Sequence, residues 1–136
     1  MTKSFTPLPA PGDIVWCKFP ETVGIPGPKN RPCLILGVFD EDHMVRVCYG
    51  TSQKTGQEEI YPGEFVMDPQ DDGFDISGLG PRTKFDLNNT FDLPFTDRWF
   101  HPHRATTLPT PLPKMGTLHP SYMQAIKKAL GHEESS

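Results

Sequence analysis

The chain has 136 residues, 35% of them hydrophobic, and a formal net charge of −4. This length supports one modest hydrophobic core and excludes a two-domain enzyme such as a Rossmann dehydrogenase. The longest uninterrupted apolar run covers only residues 33–36, which excludes a membrane-spanning helix of ~20 apolar residues.

The N-terminal segment, residues 1–11, contains three prolines and no periodic apolar pattern, which predicts an extended arm. It lacks the apolar stretch of a secretory signal, so the expected location is the cytoplasm. We expect one domain over residues 12–131 and a flexible tail over residues 132–136.

The 16 prolines and 12 glycines predict many turns and a mostly β domain of short strands. A first strand is predicted over residues 13–19, where Val15, Cys17 and Phe19 share one face. Residues 20–32 carry repeated proline and glycine and predict a loop. Strands over 33–39 and 44–49, separated by an acidic turn, then predict a β-hairpin.

The second half predicts three further strands and one helix. The strands cover residues 64–67, 82–87 and 90–95, with a turn at Asn88 and Asn89 joining the last two. Residues 101–113 are rich in proline and are expected to cover a sheet edge. The helix opens at Pro120 and ends at Gly131, a residue favoured just past a helix. A single helix is thus expected to pack on a small barrel.

Cysteine and histidine spacing argues against a metal site. Cys17, Cys33 and Cys48 form an odd set without a CxxC pair, which favours reduced thiols packed in the core. His101 and His103 have no third ligand nearby in sequence, and the acidic residues 68–75 lack the spacing of a calcium loop. We therefore expect no metal and no other cofactor, and a solvated loop over residues 68–75.

Three segments in order resemble the MazF/PemK family of toxin endoribonucleases. They are Gly-Asp-Ile-Val-Trp at residues 12–16, Arg-Pro-Cys-Leu-Ile-Leu at 31–36, and Val-Arg-Val-Cys-Tyr-Gly-Thr-Ser-Gln at 45–53. Residues 114–130 resemble the closing strand and helix of the same family, whereas residues 54–113 are longer than in its compact members.

The resemblance implies an SH3-like antiparallel barrel, like that of CcdB and MazF, with a C-terminal helix. It also implies a homodimer, a small antitoxin partner and metal-independent cleavage of single-stranded RNA. The functional arginine and threonine of the family fall on Arg31 and Thr51. Where some members carry a loop glutamate this chain has Pro26, and the nearest upstream acidic residue is Glu21.

These residue types suit metal-free RNA cleavage. The ribose 2′-hydroxyl attacks the adjacent phosphorus, and donors at the phosphoryl oxygens stabilise the charge that develops there. The fixed fork of an arginine binds two such oxygens, and a threonine hydroxyl adds a neutral donor. Because Arg31 precedes one hairpin strand and Thr51 follows the other, we expect both at one rim of the barrel.

Residues beside this pair are candidates for binding the RNA backbone: Lys29, Asn30, Ser52, Gln53 and Lys54. A local positive rim that offsets the acidic net charge is expected from five basic residues: Lys29, Arg31, Lys54, Arg82 and Lys84. Each has an ordinary alternative: Arg31 as a solvated surface residue, and Thr51 as the partner of a local turn bond. The alternative function is a non-catalytic, CcdB-like module that binds and poisons a protein target.

Overall fold

A computed structural model describes residues 2–102 and 112–134, with side chains up to Gly131. Its strands are β1 (Asp13–Cys17), β2 (Arg31–Phe39), β3 (Met44–Thr51), β4 (Glu64–Met67), β5 (Thr83–Pro94) and β6 (Lys114–Thr117). They form one sheet in the order β4-β5-β3-β2-β1-β6, in which every neighbouring pair is antiparallel. The predicted β2–β3 hairpin lies at the centre of this sheet.

Both faces of the sheet are covered, because alternate residues of each strand belong to two separate apolar clusters. Ile14, Leu34 and Cys48 pack with residues of the C-terminal helix in the first cluster. Val15, Cys33 and Val47 pack with Phe95, Trp99 and Phe100 in the second. The curled antiparallel sheet with one helix confirms the predicted mostly β, MazF-like fold.

The predicted turn at Asn88 and Asn89 is wrong, because both residues lie inside the single long strand β5. The register against β3 shifts there: Cys48 pairs with Thr90, whereas Tyr49 pairs with Asp86. Asn88 holds the resulting bulge, since its backbone N–H donates to Asp86 and its side-chain amide donates to the Pro62 carbonyl. The two asparagines thus support a bulge instead of a chain reversal.

The C-terminal helix α1 (Met123–Glu134) follows a short 3₁₀ turn at Pro120–Tyr122. The predicted end at Gly131 is wrong, because the helix continues to Glu134. Glycine adopts helical dihedral angles as readily as the left-handed ones of a helix terminus. Tyr122 and Ile126 are buried, as expected for the apolar face.

The N-terminal arm runs beside the end of β5. The Phe5 backbone N–H donates to the Phe95 carbonyl at 3.0 Å, and the Asp97 N–H donates to the Lys3 carbonyl at 2.9 Å. The predicted edge-covering stretch falls mainly on residues 103–111, outside the described residues, and the division into arm, domain and tail stays a prediction.

Two further expectations concern the cysteines and the acidic segment. Cys17, Cys33 and Cys48 are buried free thiols, as predicted. The acidic segment is tied to the fold more than a solvated loop would be: Asp68 pairs with Arg82 at 2.6 Å, and Asp71 accepts a hydrogen bond from the Tyr122 hydroxyl at 2.8 Å. In the described ranges, no helix has the length and apolar character needed to cross a membrane.

Candidate functional site

The central hairpin brings Arg31 and Thr51 to the same end of the sheet. β2 begins at Arg31 and β3 ends at Thr51, and the two strands pair with Cys33 opposite Tyr49. Continuing that register places Arg31 opposite Thr51. With the period of two along a strand, both lie on the sheet face that carries Cys33 and Tyr49.

Arg31 lines a cavity of about 290 Å³, here called the Arg31 cavity. Its walls include Glu21 from the long β1–β2 loop, Tyr49 from β3 and Asn89 from the bulge of β5. Phe19 and Phe91 supply apolar wall. A cationic group and a carboxylate therefore face one space although they come from different parts of the chain.

Thr51 lines a second cavity of about 290 Å³, here called the Thr51 cavity. Gln53, Lys54 and Asp86 also line it. Tyr49 and Asn89 line both cavities. The two spaces are therefore adjacent, and together they form a groove across the end of β2, β3 and β5, which we call the rim groove.

The Arg31 side chain is half-buried, and its guanidinium carbon lies 5.3 Å from the centre of the Tyr49 ring. Of the ion pairs found among residues 2–102 and 112–131, none involves Arg31. Its N–H donors are thus not committed to a carboxylate and are available to an anion in the groove.

Thr51 makes the local turn bond that was the alternative to a functional role. Its hydroxyl oxygen accepts a hydrogen bond from the Gln53 backbone N–H at 3.1 Å. Because a hydroxyl can accept and donate at the same time, this bond orients the oxygen and leaves its proton available to a second acceptor.

Of the five predicted RNA-binding residues, two line the rim groove and three do not. Gln53 and Lys54 line the Thr51 cavity, and Lys54 holds a left-handed backbone conformation with φ of 54°. Lys29, Asn30 and Ser52 lie outside the linings of both cavities. All five assignments stay predictions, with Gln53 and Lys54 the better placed.

The predicted positive rim is wrong for Arg82 and Lys84, because both are used in the fold. Arg82 pairs with Asp68 and donates to the Thr55 carbonyl. The Lys84 ammonium is buried, pairs with Glu64 at 3.1 Å and donates to the Glu59 carbonyl. Arg31 and Lys54 are therefore the cations with free donors in the groove walls, so far as the chain is described.

Burial excludes the nearby thiols as nucleophiles. Burial, together with the Cys17 thiol, raises the pKa of Cys33 well above its ordinary value. Burial also raises the pKa of Cys48 to about 12. A nucleophilic cysteine needs its thiolate form, so both thiols are packing residues. Across the described residues, no group of three His, Cys, Asp or Glu side chains is placed to hold a metal ion.

Analysis of the sequence missed two residues of the groove, Tyr49 and Asn89. Tyr49 is in phase with Val45 and Val47 along β3, a signal that places it on the same face as Thr51. Asn89 reaches the groove only through the bulge, for which the sequence offers no local signal distinct from that of a turn.

This curled sheet with a polar groove at one end belongs to a class of small toxin folds. The family model of PemK-like, MazF-like toxins of type II toxin-antitoxin systems matches residues 10–132. The chain therefore belongs to that family, and the resemblance noted in the sequence is confirmed.

Two solved structures are similar over nearly their whole length. An endoribonuclease from mycobacterial species matches with a TM-score of 0.57 and 17% identity, covering 97% of this chain and 96% of that one. The MazE-MazF structure from Deinococcus radiodurans matches with a TM-score of 0.56 and 15% identity, covering 95% and 97%. No curated protein matches the chain significantly. The family match supports a type II toxin over the CcdB-like alternative.

Proposed function

We propose that this protein is a type II toxin that cleaves single-stranded RNA without a metal ion, with Arg31 and Thr51 at the scissile phosphodiester. The observation that carries the proposal is the rim groove. It presents an oriented hydroxyl and a guanidinium that has no ion-pair partner among the described residues, both on one face of a MazF-like sheet.

The reaction needs no group that the chain lacks. The ribose 2′-hydroxyl attacks the adjacent phosphorus as its proton leaves, and the bond from phosphorus to the 5′-oxygen breaks. The 5′-oxygen takes up a proton from solvent water, so the products are a 2′,3′-cyclic phosphate and a 5′-hydroxyl. Arg31 binds the phosphoryl oxygens, where negative charge grows, and Thr51 donates its hydroxyl proton to the same phosphate.

Proton transfer is assigned to Glu21. A guanidinium is a poor proton acceptor, because arginine keeps its charge in proteins. Glu21 lines the Arg31 cavity, and its carboxylate is in none of the ion pairs found among the described residues. A carboxylate at this place can accept the proton of the 2′-hydroxyl while Arg31 holds the phosphate.

The remaining predicted residues would follow the RNA backbone away from the reacting phosphate. Gln53 and Lys54 lie on the wall of the Thr51 cavity and suit phosphate contacts. Lys29, Asn30 and Ser52 lie next to the two proposed site residues in sequence. They would contact the RNA outside the groove. Binding to only a few nucleotides requires few phosphate contacts, which is compatible with the net charge of −4.

Membership of this family also implies two protein partners, an antitoxin and a second copy of the chain. A small antitoxin is expected to hold the toxin inactive by covering the rim groove, and a second copy of the chain is expected to complete a homodimer. From a cellular RNA substrate we infer a cytoplasmic location.

The test is RNA cleavage by purified protein in the presence of a metal chelator. We expect cleavage with cyclic phosphate ends, loss of cleavage in Arg31→Ala, and loss in Thr51→Val. Thr51→Ser, which keeps the hydroxyl, should retain cleavage. Intact RNA with the parent protein would contradict the proposal. If cellular RNA stayed whole while the toxic protein co-purified with a protein target, the CcdB-like alternative would hold.

A further inference from the structure

Tyr49 occupies the centre of the rim groove. It lines the Arg31 cavity on one side and the Thr51 cavity on the other. Its backbone pairs with Cys33 of β2 and with Asp86 of β5, so it lies in the middle of three paired strands.

The Tyr49 ring is the contact that the described structure gives to the Arg31 guanidinium. The separation of 5.3 Å between the guanidinium carbon and the ring centre is within the ~6 Å of a cation–π contact. A cation–π contact restrains the guanidinium without using its N–H donors, whereas pairing with a carboxylate would occupy them. Tyr49 thus restrains Arg31 and leaves its donors free.

The Tyr49 ring is itself held by aromatic packing. The Phe19 ring lies 5.2 Å from it at an angle of 58°, and the Phe91 ring lies 5.3 Å from Phe19 at 74°. These are tilted and edge-on arrangements of the kind that aromatic pairs favour. Phe19 is buried, so the support behind Tyr49 belongs to the core and is rigid.

The backbone beside Tyr49 is equally constrained. A Cβ atom at Gly50 would lie 2.6 Å from both the Phe85 ring and the Pro32 carbonyl oxygen. Only glycine allows β3 to approach β2 and the Phe85 ring this closely. The position of Tyr49 relative to Arg31 is therefore set from both the side chain and the main chain.

We propose that Tyr49 is a positioning residue: its ring aims the Arg31 guanidinium at the scissile phosphodiester, with the two flanking nucleotides in the Arg31 and Thr51 cavities. This inference rests on the proposed RNA cleavage. The ring performs the task and the hydroxyl is dispensable, so phenylalanine should replace tyrosine whereas leucine should not.

The test is a double-mutant cycle of Arg31 and Tyr49. A cleavage site is first mapped by primer extension, and a short RNA carrying that site serves as substrate. Its analogue with 2′-deoxyribose at the cleaved nucleotide serves as a non-cleavable ligand. Cleavage rate and ligand affinity are then measured for the parent, Tyr49→Phe, Tyr49→Leu, Arg31→Ala and the Leu/Ala double variant.

We expect Tyr49→Phe to stay within about threefold of the parent and Tyr49→Leu to lose about tenfold or more in kcat, because the guanidinium loses its platform. In the Arg31→Ala background, Tyr49→Leu should add no further loss in rate or in ligand affinity. The affinity measurement completes the cycle even where Arg31→Ala cleaves too slowly to follow. Tyr61→Leu, which changes an exposed tyrosine outside both cavities, is the matched control and should match the parent.

Equal losses from Tyr49→Leu with and without the arginine would overturn the inference, because they would mean that Tyr49 does not act through Arg31. An equal loss in Tyr49→Phe and Tyr49→Leu would overturn it by assigning the role to the hydroxyl. These results are distinct from a failure of the proposed function, in which Arg31→Ala itself would cleave as fast as the parent.

Discussion

Lys84 and Glu64 form an ion pair of 3.1 Å on the wall of the Thr51 cavity, with only 7% and 10% of their side chains exposed. The Lys84 ammonium also donates to the Glu59 carbonyl and lies 5.5 Å from the centre of the Tyr61 ring. All of these contacts are made with other residues of the protein. Lys84 therefore differs from Lys54, which lines the same cavity and is exposed.

The first prediction is that these two lysines have different roles. Lys84→Ala should lower the free energy of unfolding by about 3 kcal/mol, because it leaves the Glu64 carboxylate buried and unpaired. Lys54→Ala should leave stability unchanged. It should make the slope of log binding constant against log salt concentration shallower by about one unit, because one phosphate contact is lost. Urea unfolding and binding titrations at several salt concentrations measure both effects. Equal stability of the two variants would contradict the assignment.

Gly50 gives a second prediction, on the geometry that joins Arg31 to Thr51. Gly50→Ala should destabilise the fold by about 1 to 3 kcal/mol, because the added methyl group meets the Phe85 ring and the Pro32 carbonyl oxygen. Gly80→Ala is the matched control, since a Cβ atom there meets nothing within 4 Å. Thermal unfolding of both variants tests this, and a neutral Gly50→Ala would show that β2 and β3 can separate without cost.

The sequence was sufficient to predict the parts of the site that depend on local pattern. Arg31 and Thr51 are at neighbouring strand ends because an apolar run, an acidic turn and an alternating strand make a hairpin, and those signals lie close together in the chain. The apolar alternation also predicted that Val15, Cys17 and Phe19 share a face, and all three belong to one apolar cluster.

The parts that could not be predicted depend on contacts between distant segments. Asn89 enters the groove through a bulge that Asn88 holds by bonding to Pro62, a residue of another connection. Arg82 and Lys84 appeared to be free cations because their acidic partners, Asp68 and Glu64, come from other elements of the fold. Charge counts along the chain do not contain such pairings.

A third prediction concerns stability at alkaline pH. Burial raises the pKa of Cys48 to about 12, whereas in the unfolded chain the thiol titrates near 9. Between these values the unfolded state binds fewer protons, so stability falls as pH rises above about 9, by about 1.4 kcal/mol per pH unit for this thiol. Urea unfolding from pH 8 to pH 10 should show a shallower decline in Cys48→Ala than in the parent. Equal slopes would contradict the burial argument.

The fourth prediction tests Glu21 as the proton acceptor. Glu21→Gln keeps the size and polarity of the side chain but cannot take up the 2′-hydroxyl proton, so the cleavage rate at neutral pH should fall about 100-fold.

Glu41→Gln provides the control for that experiment, because Glu41 is an exposed carboxylate in the turn at the opposite end of the β2–β3 hairpin. It should cleave at the rate of the parent. Affinity for the non-cleavable 2′-deoxy analogue should be preserved in Glu21→Gln, since Arg31 and Thr51 are intact. If Glu21→Gln instead lost affinity and kept the cleavage rate of the bound RNA, Glu21 would be a binding residue, and the proton acceptor would have to be sought at Asp86, the other carboxylate of the groove without an ion-pair partner in the described chain.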